Sequence, residues 1–62
     1  MTPDHRKLAA SYRKGKLECN FYRLINTPHY QVDNNGEECM LPPDDVRKLQ
    51  RELIREGYRK TL

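Results

Sequence analysis

Apolar and polar residues alternate along this chain with two different periods, and the clearest period lies near the C-terminal end. From Pro43 to Glu56, Val46, Leu49, Leu53 and Ile54 recur at i, i+3, i+7 and i+8, one stripe of an amphipathic helix. Pro43 suits the first helical position, where no amide hydrogen is needed. Asp44 and Asp45 follow where the helix dipole favours acids. Gly57 supplies a stop. The spacing predicts a helix over 43–56 and a short basic tail over 58–62.

Upstream, the segment from His29 to Leu41 has the two-residue period of a hairpin. Asn35-Gly36 is the preferred pair for a two-residue type I′ turn, since both residues tolerate positive φ. That turn sets the register: Asn34 opposite Glu37, Asp33 opposite Glu38, Val32 opposite Cys39, Gln31 opposite Met40 and Tyr30 opposite Leu41. Tyr30, Val32, Cys39 and Leu41 then share one face, and His29, Gln31, Asp33, Glu38 and Met40 the other. The strands are predicted at 29–33 and 38–41. The like-charge pair Asp33 and Glu38 is mildly unfavourable, which a longer loop over 33–36 would relieve.

Two segments remain. Over 17–25, Leu17, Cys19, Phe21 and Ile25 alternate with Glu18 and Asn20, and Asn26-Thr27-Pro28 ends the run, which predicts a strand. Arg23 then falls on the apolar face and must sit at an edge or extend outward. At the start, Thr2-Pro3-Asp4 reads as a helix-start signature, Leu8, Ala9 and Tyr12 as a narrow apolar stripe, and Gly15 as a stop. These predict a short helix over 3–14. The expected fold is α+β, in the order α-β-β-β-α. It has a short N-terminal helix, a three-stranded antiparallel meander and a C-terminal helix packed on the sheet.

Composition narrows what such a chain does. Its 62 residues fit a single small domain, 1–62, with 35% apolar and 34% charged residues. A chain of this size buries only about 60% of its unfolded surface and has no room for a deep cleft. No enzyme activity, no cofactor and no small-molecule substrate are expected. No apolar run reaches the ~18 residues of a membrane span, and the start lacks the apolar stretch of a signal peptide, so a cytoplasmic protein with no membrane partner is expected.

Catalytic and metal chemistry find little purchase. There is no glycine-rich phosphate loop, and Ser11 is the one serine. Cys19 or Cys39 with His29 would make a thiolate–imidazole pair only in an electropositive setting, and the surrounding segment is acidic. His5, Cys19, His29 and Cys39 match a zinc site in number, but they lack the close ligand pairs of structural zinc sites, so no metal is expected. In the meander Cys19 and Cys39 lie on its two outer strands, too far apart for a disulfide, and are expected as buried free thiols.

Charge points to binding. The net charge of +3 divides into +4 over residues 1–16, −5 over 17–45 and +4 over 46–62. On the last helix Arg47, Arg51 and Arg55 recur at i, i+4 and i+8, and Arg51 has no acid three or four residues away. Arg59 and Lys60 extend the surface. Such a row suits phosphate backbones, and these five residues are the candidate nucleic-acid-binding set. The competing reading is that the basic ends pair with the chain's own acidic middle. The element order resembles the double-stranded-RNA-binding domain, and its last four elements are similar to the arm-binding domains of phage-type integrases. The first family carries a lysine cluster where this chain has Asp44-Asp45, and no residue is carried over from either. The alternative function is a protein–protein regulator or inhibitor. It would hold a partner, or a second copy of itself, through an edge strand or the open sheet face at Tyr22, Leu24, His29 and Met40.

Overall fold

The computed structural model describes residues 6–62. Its elements are β1 (Arg6–Lys14), β2 (Leu17–Leu24), β3 (Tyr30–Asn34), β4 (Glu37–Leu41), α1 (Pro43–Arg55) and β5 (Arg59–Lys60). The five strands form one antiparallel sheet in the order β4-β3-β2-β1-β5. The protein is α+β, and its one helix among the described residues follows the fourth strand.

The predicted N-terminal helix is corrected. Residues 6–14 are a strand, and the rest of the expected helix, 3–5, lies outside the described residues. Gly15 does not end a helix. With φ of 60° it opens the two-residue loop joining β1 to β2, as the first central residue of a type II′ turn requires. The apolar positions that matter are Ala10 and Tyr12, both buried and two residues apart. A bulge between Leu8 and Ala10 shifts the phase, so Leu8 is paired with Tyr22 on the other face. This offset imitates helical spacing. The three-stranded meander is likewise extended to five strands, because β1 pairs along the whole of β2 and part of the basic tail pairs with β1 as β5. The element order that underlay the likeness to the double-stranded-RNA-binding domain is therefore not present.

The β3–β4 hairpin has the predicted register throughout. Asn35 at φ 55° and Gly36 at φ 90° make the turn. The strands are one residue longer toward the turn than predicted, and β3 starts at Tyr30. The Asp33–Glu38 opposition is relieved without a longer loop. Asp33 Oδ1 accepts the Gly36 N–H at 3.1 Å, and Glu38 lies 4.0 Å from Arg6. A second clasp ties this turn to β2: Asn35 N–H donates to the Glu18 carbonyl at 2.9 Å, and Glu18 N–H donates to Asn35 Oδ1 at 2.8 Å.

Helix α1 starts at Pro43, and Asp44 and Asp45 occupy its first turn. It ends in a Schellman motif: Gly57 N–H donates to the Ile54 carbonyl at 3.1 Å and Tyr58 N–H to the Leu53 carbonyl at 2.8 Å. Gly57, at φ 102°, allows this reversal, which brings Tyr58 into the core with Leu53. The helix enters from β4 and leaves into β5, so it crosses the sheet from one edge to the other. Val46 and Leu53 pack with Tyr12, Cys19, Phe21 and Val32, and Tyr12 meets Phe21 edge-on at 5.6 Å between ring centroids. Ile54, read as part of the inward stripe, is 55% exposed. The shortest dimension, 19 Å, accommodates one helix and one sheet, so among the described residues no element covers the opposite sheet face. No helix among the described residues is long and apolar enough to cross a membrane.

Candidate nucleic-acid interface

The sheet separates the charges of this chain onto two sides. On the bare face, cations and acids satisfy one another. Arg6 lies 4.2 Å over the Tyr22 ring, donates to Gln31 Oε1 at 3.3 Å and sits 4.0 Å from Glu38. Arg13 donates to Glu18 Oε2 at 3.1 Å, Glu18 accepts from Asn20, and Asn20 accepts from Ser11 at 2.8 Å. Among the described residues, the ion pairs of the acidic middle, at Glu18 and Glu38, are made by strand β1 and not by the arginines of α1. Among the described residues, Arg6 and Arg13 are the two cations in ion pairs.

On the helix side one row of cations stands apart from the acids of α1. A trough runs alongside α1, from the end of the sheet at the β2–β3 loop toward β1 and β5. Its widest segment, about 710 Å³, is lined by Lys7, Arg23, Leu24, Ile25 and the 26–28 loop, with Tyr30 and Pro43. Tyr30 and Pro43 also line the next segment, about 260 Å³, together with Ala9, Ala10, Arg47, Gln50 and Lys60. Arg47 and Gln50 continue into a third, about 380 Å³, with Tyr12, Arg51 and Ile54. Shared residues join the three segments end to end. Lys7, Arg23, Arg47, Arg51 and Lys60 line them, and among the described residues no aspartate or glutamate does.

The helical repeat explains the sign of this trough. Arg47 and Arg51 occupy the flank of α1 next to Gln50 and Ile54, and Asp45, Glu52 and Glu56 share the flank on the far side of the buried stripe. The sheet supplies its part through register. Lys7 is paired with Arg23, and Lys60 with Tyr12, on the face that carries Phe21 and the helix.

The five candidate cations are therefore not on one surface. Arg47, Arg51 and Lys60 line the trough. Arg55 is exposed on the outward side of α1. Arg59 is paired with Arg13, next to Lys60 in the strand and so on the opposite sheet face. Lys7 and Arg23 were not among the candidates. Arg23 carried a signal, a cation at an inward position of a strand, and it is exposed at the sheet end as that position required. Lys7 carried none, because its segment was read as helical.

Of the partner-binding candidates, Tyr22, Leu24 and Met40 lie on the bare face, with Tyr22 beneath Arg6. His29 belongs to the loop before β3, where Nδ1 lies 3.2 Å from Thr27 Oγ1. Cys19 and Cys39 are both free and lie on β2 and β4 with β3 between them. Cys19 is fully buried, and burial, then Asp33 and Cys39, pushes its thiol up to about 11. Cys39 was expected to be buried and is exposed, because α1 heads away from the β4 edge after Pro42. Among the described residues no cluster of His, Cys, Asp and Glu is arranged to hold a metal ion. Comparisons with known protein families, with curated proteins and with solved structures find no match to this chain.

Proposed function

We propose that this protein is a small, non-enzymatic nucleic-acid-binding protein that uses the cationic trough beside α1. One observation carries the reading: Lys7, Arg23, Arg47, Arg51 and Lys60 converge on one surface that none of the eight acids among the described residues lines. Charge that serves only solubility mixes both signs over a surface. Here the signs are sorted, and a polyanion is the ligand that such a surface attracts. Arg55 on the outward side of α1 adds to the positive field, while Arg59 lies on the opposite face of β5.

Titration with mixed-sequence DNA and RNA, followed by anisotropy, tests this. If about four phosphates are neutralised, affinity falls about 50-fold for a single strand and about 150-fold for a duplex between roughly 50 and 200 mM salt. An Arg47→Gln/Arg51→Gln variant binds more weakly and shows a shallower salt slope. Absence of binding at low salt refutes the proposal.

A second reading, binding of a protein partner or a second copy, is favoured by the unpaired outer edge of β4 and by Met40, 55% exposed beside it. It predicts that Met40→Glu abolishes association without lowering the melting temperature. It ranks below the first because Gln31 and the Arg6-covered Tyr22 separate Met40 from the other exposed apolar residue of that row, Leu8.

A further inference from the structure

Resting on the nucleic-acid reading, the geometry points to a single strand, and not a duplex, as the occupant of the trough. Duplexes are read by convex elements, because a helix or ribbon must enter a major groove ~12 Å wide. The surface of this protein that is sorted for anions is concave. It runs along the flank of α1 and over the adjoining sheet, with cations on both walls, an arrangement suited to tracking one sugar–phosphate chain. The outward side of α1, which a duplex would meet, presents Asp44 together with Lys48 and Arg55.

The lining supports the same choice. Single-strand sites combine a basic groove for the backbone with aromatic faces for unstacked bases. Cations stand on both walls here: Arg47 and Arg51 on the helix, Lys7, Arg23 and Lys60 on the sheet. Between them lies Tyr30, which lines both of the larger segment and its neighbour and is only partly buried by the core. Ile25, 69% exposed, and Ile54, 55% exposed, flank the two ends as further apolar surface in reach of a base. The trough follows the 13-residue helix, about 20 Å long, which corresponds to about four nucleotides, the lower end of known single-strand site sizes.

The experiment compares a fluorescein-labelled oligothymidine of about 12 nucleotides with a duplex of the same length at low salt. The single strand is expected to bind at least tenfold more tightly. Lys7→Gln/Arg23→Gln, at two exposed positions outside the core, is expected to weaken the single strand about tenfold and to leave the duplex unchanged. Tyr30→Phe retains binding and Tyr30→Leu loses about tenfold, the low end of the contribution of base stacking. Equal or tighter duplex binding overturns the inference, as does an unaltered single-strand affinity in Lys7→Gln/Arg23→Gln, and the nucleic-acid reading survives both results. Binding of neither oligonucleotide refutes that reading itself.

Discussion

Lys7 and Arg23 face each other across β1 and β2, on the side of the sheet that carries α1, and among the described residues neither is in an ion pair. Like charges in direct opposition destabilise a sheet by about 0.2–1 kcal/mol. Removing one of them should therefore raise stability and lower affinity together. Arg23→Gln is expected to melt a few degrees higher than the wild type in chloride, since about 1 kcal/mol moves a domain of this size by 4–8 °C. Added phosphate at matched ionic strength should raise the wild-type melting temperature more than that of the variant. Equal phosphate increments in both would show that the pair holds no anion.

This pair shows which parts of the fold are legible in the sequence. Arg23 was visible as an anomaly because the 17–25 run had the period of a strand and one inward position held a cation. Lys7 was invisible because Leu8, Ala9 and Tyr12 imitate a helical stripe, and only the bulge at Ala9 reconciles them with a strand. Bulges leave no trace in a local pattern, since they are fixed by which partner strand is present. The β3–β4 register was legible down to individual pairs because Asn35-Gly36 encodes its own backbone. The α1 boundaries were legible for the same reason, through Pro43 and Gly57. The trough was only half legible. The i, i+4 row gave Arg47 and Arg51, but its other wall comes from strands distant in sequence.

Gly57 controls more than the end of a helix. Its φ of 102° turns the chain so that Tyr58 returns to Leu53 and Lys60 reaches the trough. A Cβ there would meet the Lys14 side chain no closer than 3.6 Å, so the space is open and the cost of Gly57→Ala is conformational. It is expected at about 1–2 kcal/mol. Urea unfolding monitored by circular dichroism should show the midpoint shifted down. If the nucleic-acid reading holds, affinity should fall as well, because β5 carries Lys60. An unchanged midpoint would mean that the Schellman turn forms without its glycine.

The bare sheet face makes a separate claim. Arg6 covers Tyr22 and bridges β1 to Gln31 on β3 and Glu38 on β4, so one side chain spans four strands. Arg6→Ala is expected to cost about 1 kcal/mol, since the stacking on the half-buried Tyr22 ring and the bridge are both lost. The loss should shrink in high salt, where the wild type loses the Glu38 contribution by screening. Oligonucleotide affinity should change little, because Arg6 lies across the sheet from the trough. A large loss of affinity in this variant would move the binding surface to the bare face.

The two cysteines give the last expectation, and its sign follows from burial. Cys39 is exposed and Cys19 is not, so a native chain should react with one equivalent of a thiol reagent and a denatured chain with two. Burial raises the Cys19 thiol from 9.0 to about 11 and also raises Tyr12 above 10.0. Above pH 9 the unfolded chain releases a proton that the folded chain retains, so the unfolded state gains relative to the native one. Stability contributed by the neutral thiol is complete below pH 9 and is lost as pH rises toward 11. Melting temperatures measured from pH 7 to 10.5 should be level at first and then fall. Cys19→Ala, although less stable at every pH through the cavity it leaves, should show a shallower fall, with the remaining slope due to Tyr12. Identical slopes in the two proteins would place the alkaline transition on another group.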